Sequence, residues 1–81
     1  MTEKQLIKLN FEKQQGEGFH YYTYDLGRFC LISSDSDMAK SNKWKVYMFD
    51  AYNDFKFDDY KDVKELIGLL NKAYKNECAD I

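Results

Sequence analysis

The sequence predicts an α+β fold: a four- to five-stranded antiparallel sheet with one C-terminal helix packed on one face. Three observations predict it. Residues 5–57 hold short runs rich in aromatic and β-branched side chains, punctuated by turn signals. A stripe of apolar residues at three- and four-residue spacing follows, over about 59–76. At 81 residues the chain has room for a single domain, 1–81, with one core.

Taken in order, Ile7, Leu9 and Phe11 alternate with Lys8, Asn10 and Glu12, a period of two that reads as a half-buried strand. A helix starting near Thr2 is the rival, because Gln, Glu and Lys favour helix; the strand is the expectation. Gln14-Gln15-Gly16-Glu17-Gly18 is a turn with two glycines for backbone freedom. Phe19–Asp25 and Arg28–Ser33 are strands joined by a tight hairpin at Asp25-Leu26-Gly27. Ser33–Lys43 is the longest polar stretch and reads as an exposed loop or a long hairpin connection. Trp44–Phe49 carries apolar residues on both faces, with Trp44, Val46 and Met48 opposite Lys45, Tyr47 and Phe49, which suits a central strand. Asn53-Asp54 marks a turn, and Phe55–Phe57 is a short last strand.

Asp58 or Asp59 caps the helix, and Asp62 adds charge that the helix dipole favours. Val63, Leu66, Ile67, Leu70, Ala73 and Tyr74 form its apolar stripe; Lys61, Lys64, Glu65, Asn71, Lys72 and Lys75 face water. The tail 77–81 frays. One helix covers one sheet face, so the other is left open, and that is where surplus aromatics belong.

The surplus is real. Aromatics make up 17% of the chain: Trp44, six Phe and seven Tyr, with no proline. Each enclosed ring buries about 150–250 Å², more than a core this small can supply for all of them. Surface aromatics are material for binding sites. The net charge of −2 is unevenly spread: residues 1–48 hold seven Lys/Arg and six Asp/Glu, and residues 49–81 hold five and eight. An acidic second half disfavours a conventional phosphate-binding surface and suits a basic groove on a partner. No apolar run approaches the length of a membrane span, and the charged start Met1-Thr2-Glu3-Lys4-Gln5 has no secretory character. A cytoplasmic protein with no membrane partner is expected. Cys30 and Cys78 are then reduced thiols.

No constellation specifies chemistry. His20 is the only histidine and has no assigned acid or nucleophile beside it. Asp35-Ser36-Asp37 opens like a calcium loop, but Lys40 stands where the glycine is needed and Val46 where the bidentate Glu is needed. Asp54-Phe55-Lys56 matches half of a nuclease metal site, without converging carboxylates. Gly16-Glu17-Gly18 leads into a strand with no Lys-Ser/Thr after it, so it is not a phosphate loop. The expectation is a non-catalytic binding protein with no cofactor and no metal.

With its strand-to-helix junction Phe55-Lys56-Phe57-Asp58-Asp59-Tyr60, this layout resembles that of small phage- and mobile-element-encoded inhibitors of the anti-CRISPR type. The likeness covers most of the chain. It implies an inhibitor that binds a larger protein or ribonucleoprotein, such as a CRISPR effector in a bacterial host cytoplasm. Such an inhibitor occludes a nucleic-acid groove or disturbs guide-RNA loading. The contacts this reading assigns are Tyr22, Tyr24, Trp44, Tyr47 and Tyr52, with the acids Asp35, Asp37, Asp50 and Asp54. A slip of one residue would exchange the two sheet faces. Two other classes compete. One is a single-stranded RNA or DNA binder that stacks bases on Tyr22, Tyr24 and Tyr47 beside Arg28, Lys43 and Lys45. The other is a small structural or regulatory subunit that dimerises through the open face or an edge strand; monomer and homodimer are both open.

Overall fold

Thr2 starts a helix, and the strand expected over Ile7–Phe11 does not form. In the computed structural model, which describes residues 1–26, 29–49 and 54–79, α1 spans Glu3–Lys8. The reasons lie at its two ends. Thr2 and Gln5 make a reciprocal capping box that satisfies two orphan backbone donors. At the other end Asn10 takes φ 69°. The amides of Asn10 and Phe11 then donate back to the carbonyls of Ile7 and Leu6, the hydrogen-bond pair of a Schellman stop. This closure turns Leu6 (fully buried) and Phe11 inward and leaves Ile7 55% exposed.

Five strands follow: β1 Glu12–Gln15, β2 His20–Leu26, β3 Phe29–Ser33, β4 Val46–Phe49 and β5 Asp54–Phe57. They form one antiparallel meander in sequence order, so β4 is internal, as its two apolar faces require. The first hairpin closes with the Gly16 amide donating to the Phe19 carbonyl, and Gly18 supplies φ 77°. In the second, Leu26 pairs with Phe29; Gly27 lies outside the described residues.

Directly paired residues share a face. Tyr22, Tyr24, Leu31, Val46, Met48, Phe55 and Phe57 fall on one side, and Tyr21, Thr23, Cys30, Ile32, Tyr47 and Lys56 on the other. The first side is the core side. Leu6, Phe11, Tyr22, Leu31, Ala39, Trp44, Val46, Val63 and Ile67 are buried there together.

The segment 33–43 lies back against the sheet rather than hanging free: Ser33, Ser34 and Ala39 are all buried. Serine hydroxyls make this possible by satisfying backbone groups beyond the ladder. Ser34 Oγ accepts from the Lys45 amide, and Ser36 Oγ accepts from the His20 amide.

Asp59 caps α2, Tyr60–Ala79, its carboxylate accepting from the Lys61 amide. The helix continues through Ala79, past the expected end near 76. Val63 and Ile67 are buried, Leu66 and Leu70 half-buried, and Ala73 exposed. Asn71, expected in water, is half-buried: its amide donates to Tyr24 Oη and to the Ile67 carbonyl. The helix thus crosses the sheet as far as β2. Among the described residues no helix is long and apolar enough to cross a membrane.

Candidate binding face

Both helices sit on one side of the sheet, and no helix of the described residues covers the opposite side. Its middle row runs Glu12, Thr23, Ile32, Tyr47, Lys56 across the five strands. Asp25 pairs with Cys30 in the row beside it. At the other end of the sheet this face opens into a cleft of about 280 Å³. Phe19, Tyr21, Ile32, Met38 and Tyr47 line it, with Ser33, Ser34 and Asp35. The rings of Phe19 and Tyr21 stack with centroids 6.2 Å apart and planes at 26°.

Local structure explains the walls. Gly16 has no side chain because Phe19 lies over it; a Cβ there would meet the ring at 2.4 Å. Asp35 builds the rim. Its Oδ1 accepts from the Met38 amide at 2.8 Å, and its carbonyl accepts from the amides of Met38 and Ala39. That turn buries Ala39 and leaves Met38 65% exposed beside the cleft. The two serines are already committed: Ser33 Oγ accepts from the Tyr22 amide and donates to the Ser34 carbonyl. Asp35 is therefore the charged group that the described lining offers a ligand.

Several expected contacts fall on the covered side. Tyr22 is 3% exposed and Trp44 4% exposed; both are core residues. Tyr24 packs on Phe11 at 5.5 Å and is bonded to Asn71. The reason is register: β2 presents its even-numbered residues to the helices, so the tyrosine left for the open face is Tyr21. Tyr47 and Asp35 do meet at the cleft. Asp37 is exposed on the loop, and Asp54 is exposed on the edge strand β5. Lys43 is exposed before β4, and Lys45 is half-buried with its backbone paired to Ser34. Arg28, Asp50 and Tyr52 lie outside the described residues. Sequence reasoning missed Phe19, Tyr21, Ile32 and Met38 as lining. Phe19 and Tyr21 follow from the alternation once Tyr22 is placed inward; Met38 carries no such signal.

On the covered side His20 is not alone. Glu3 Oε2 receives His20 Nε2 at 2.6 Å and the Tyr22 hydroxyl at 2.7 Å. The hydrogen bond from Tyr22, then that from His20, holds the Glu3 carboxyl below the usual carboxylate range. Burial, reinforced by the Glu3 carboxylate, pushes the Tyr22 hydroxyl up to about 12. Trp44 stands edge-on to Tyr22 at 5.5 Å and tilted to His20 at 5.6 Å. Its indole Nε1 donates to Asn42 Oδ1, which also accepts the Glu3 amide. The cluster fastens α1 to β2. Among the described residues no three His, Cys, Asp or Glu side chains converge as a metal site. Cys30 is a free thiol on the open face, raised above its usual range by partial desolvation and by Asp25.

These features define an α+β protein with a five-stranded antiparallel meander, helices on one side and an aromatic cleft on the other. No family model, curated protein or solved structure matches the chain.

Proposed function

We propose that this chain is a non-catalytic binding protein whose uncovered sheet face engages a larger protein or ribonucleoprotein and blocks a surface that partner needs. The observation that supports it is the apolar cleft on that face, walled by Phe19, Tyr21 and Tyr47. All three rings are half-buried, and aromatics that line a pocket are the usual anchors of protein interfaces. A nucleic-acid ligand fits less well. The charged lining group is a carboxylate, and the phosphate backbone needs cations. Two of the three tyrosines proposed for base stacking, Tyr22 and Tyr24, sit under the helices. The layout makes a CRISPR effector the first partner to try, with occlusion of its nucleic-acid groove or its guide-RNA loading as the mode of inhibition.

The test is capture of partners by the tagged chain from a bacterial lysate containing such an effector, with and without RNase. Ile32→Glu places a charge in the open face, and Leu69→Glu places one on the exposed side of α2 as a control. The expected result is one stoichiometric protein that survives RNase, is lost with Ile32→Glu and is kept with Leu69→Glu. Both variants should keep the wild-type thermal midpoint within a few degrees. Recovery of RNA alone, or capture indifferent to Ile32→Glu, overturns the proposal.

A further inference from the structure

The cleft is small, aromatic and carries one carboxylate, and that combination selects a ligand. We propose that it takes an arginine side chain presented by the protein partner; this rests on the reading of the open face as the binding surface.

Size comes first. Pockets for drug-sized ligands run from about 300 to 1,000 Å³, so at about 280 Å³ this one suits a single long side chain. Its walls are the stacked pair Phe19 and Tyr21, with Tyr47 beyond Ile32 in the neighbouring strands. Aromatic faces attract cations through their quadrupole, more strongly where water is excluded. Ile32 and Met38 offer apolar surface to the methylene stem.

At the rim Asp35 supplies the opposite charge, and the Met38 amide on Oδ1 fixes where that carboxylate sits. An anionic ligand would meet the carboxylate and no lining cation among the described residues. A neutral apolar side chain would take water from the carboxylate and bring no counter-charge to it beyond the Met38 amide, which costs free energy. Lysine would match the charge, but its ammonium is compact and strongly hydrated. Guanidinium is planar, more weakly hydrated, stacks on rings and binds carboxylate through two donors at once.

The experiment is an NMR titration of the isotope-labelled full chain with N-acetyl-arginine methylamide. N-acetyl-norleucine methylamide serves as the uncharged probe and spermidine as the free polycation. Saturable shifts are expected at the amides of Tyr21, Ile32, Asp35 and Tyr47. The norleucine probe and spermidine should each bind at least tenfold more weakly. Asp35→Asn keeps an oxygen acceptor for the Met38 amide, so the turn survives; it should weaken the arginine probe several-fold with the thermal midpoint unchanged. Tyr47→Leu should do the same by removing one wall. Absence of saturable shifts, equal affinity for norleucine, or indifference to Asp35→Asn overturns the proposal. Spermidine binding as tightly as arginine also overturns it, in favour of a free polyamine. If the arginine probe fails while Ile32→Glu still abolishes protein capture, the binding face stands and the arginine assignment falls.

Discussion

Glu3, His20 and Tyr22 link a residue-scale contact to a measurable pH dependence. Burial and Glu3 raise Tyr22 to about 12, against an ordinary value of 10.0. In that interval the unfolded chain releases the phenolic proton before the folded one does. The stabilisation is therefore complete below pH 10 and is lost as pH rises toward 12. Glu3 works in the opposite sense. Its folded carboxyl is held low, so its stabilisation is present above the ordinary carboxylate range and lost as pH falls through it. Tyr22→Phe removes the hydroxyl and keeps the ring. We expect a loss of about 1.5–3 kcal/mol at neutral pH, the scale of a hydrogen bond to a charged group. The variant should also show a shallower decline at both ends, because Tyr22 is the first cause of the Glu3 shift. Urea unfolding midpoints of both proteins from acid to strongly alkaline pH check this. Identical limbs in the two proteins would refute the assignment.

At the scale of elements, α1 decides between two readings of the same residues. A strand would place Ile7, Leu9 and Phe11 on one face; the helix buries Leu6 and turns Ile7 outward. Leu6→Ala should cost about 2–5 kcal/mol, the range for truncating a buried leucine. Ile7→Ala should cost under about 1 kcal/mol, as an exposed substitution. Chemical denaturation of both variants measures the difference, and equal costs would favour the strand. The helix was legible in part. Thr2 and Gln5 stand at capping-box spacing and Asn10 at a stop position, yet α1 is only six residues long. Over so short a span the alternation of Ile7, Leu9 and Phe11 looks equally good. The C-terminal helix was plain because its stripe repeats over several turns, and Asp58 and Asp59 differ only in which one caps. The Gly16 turn was equally plain, but not why Gly16 is there. Gly16→Ala would push the Phe19 ring off the turn. It should weaken the arginine probe while changing stability by no more than about 1 kcal/mol, since the alanine also restricts the unfolded chain.

The whole molecule is asymmetric, with helices on one side of the sheet and the aromatic cleft on the other. Sequence could place β2 to β5, because turn glycines and alternating runs mark them, but not β1, whose Gln14 and Gln15 read as turn. It could not choose the face, because adjacent Tyr21 and Tyr22 are chemically identical and a shift of one residue exchanges them. What decides is remote: Tyr22 finds Glu3 and Trp44, and Tyr24 finds Asn71. The same asymmetry bears on self-association. A two-fold axis along β3 would lay the middle row of one copy on that of another, with Glu12 over Lys56 at each end. That match would steer two copies together, but it would not hold them. Charges at Asp25, Lys45 and Asp54 are spread over the same face, whereas the cores of stable interfaces are depleted in charge. A standard interface also needs about 800 Å² from each partner. We therefore expect a monomer in sedimentation equilibrium across the micromolar to submillimolar range, leaving the cleft open to a different protein. A mass that rises with concentration, falls back with Glu12→Lys and returns in the Glu12→Lys, Lys56→Glu double variant would make the open face a homodimer interface. The cleft would then be occluded by a second copy before any other partner could reach it.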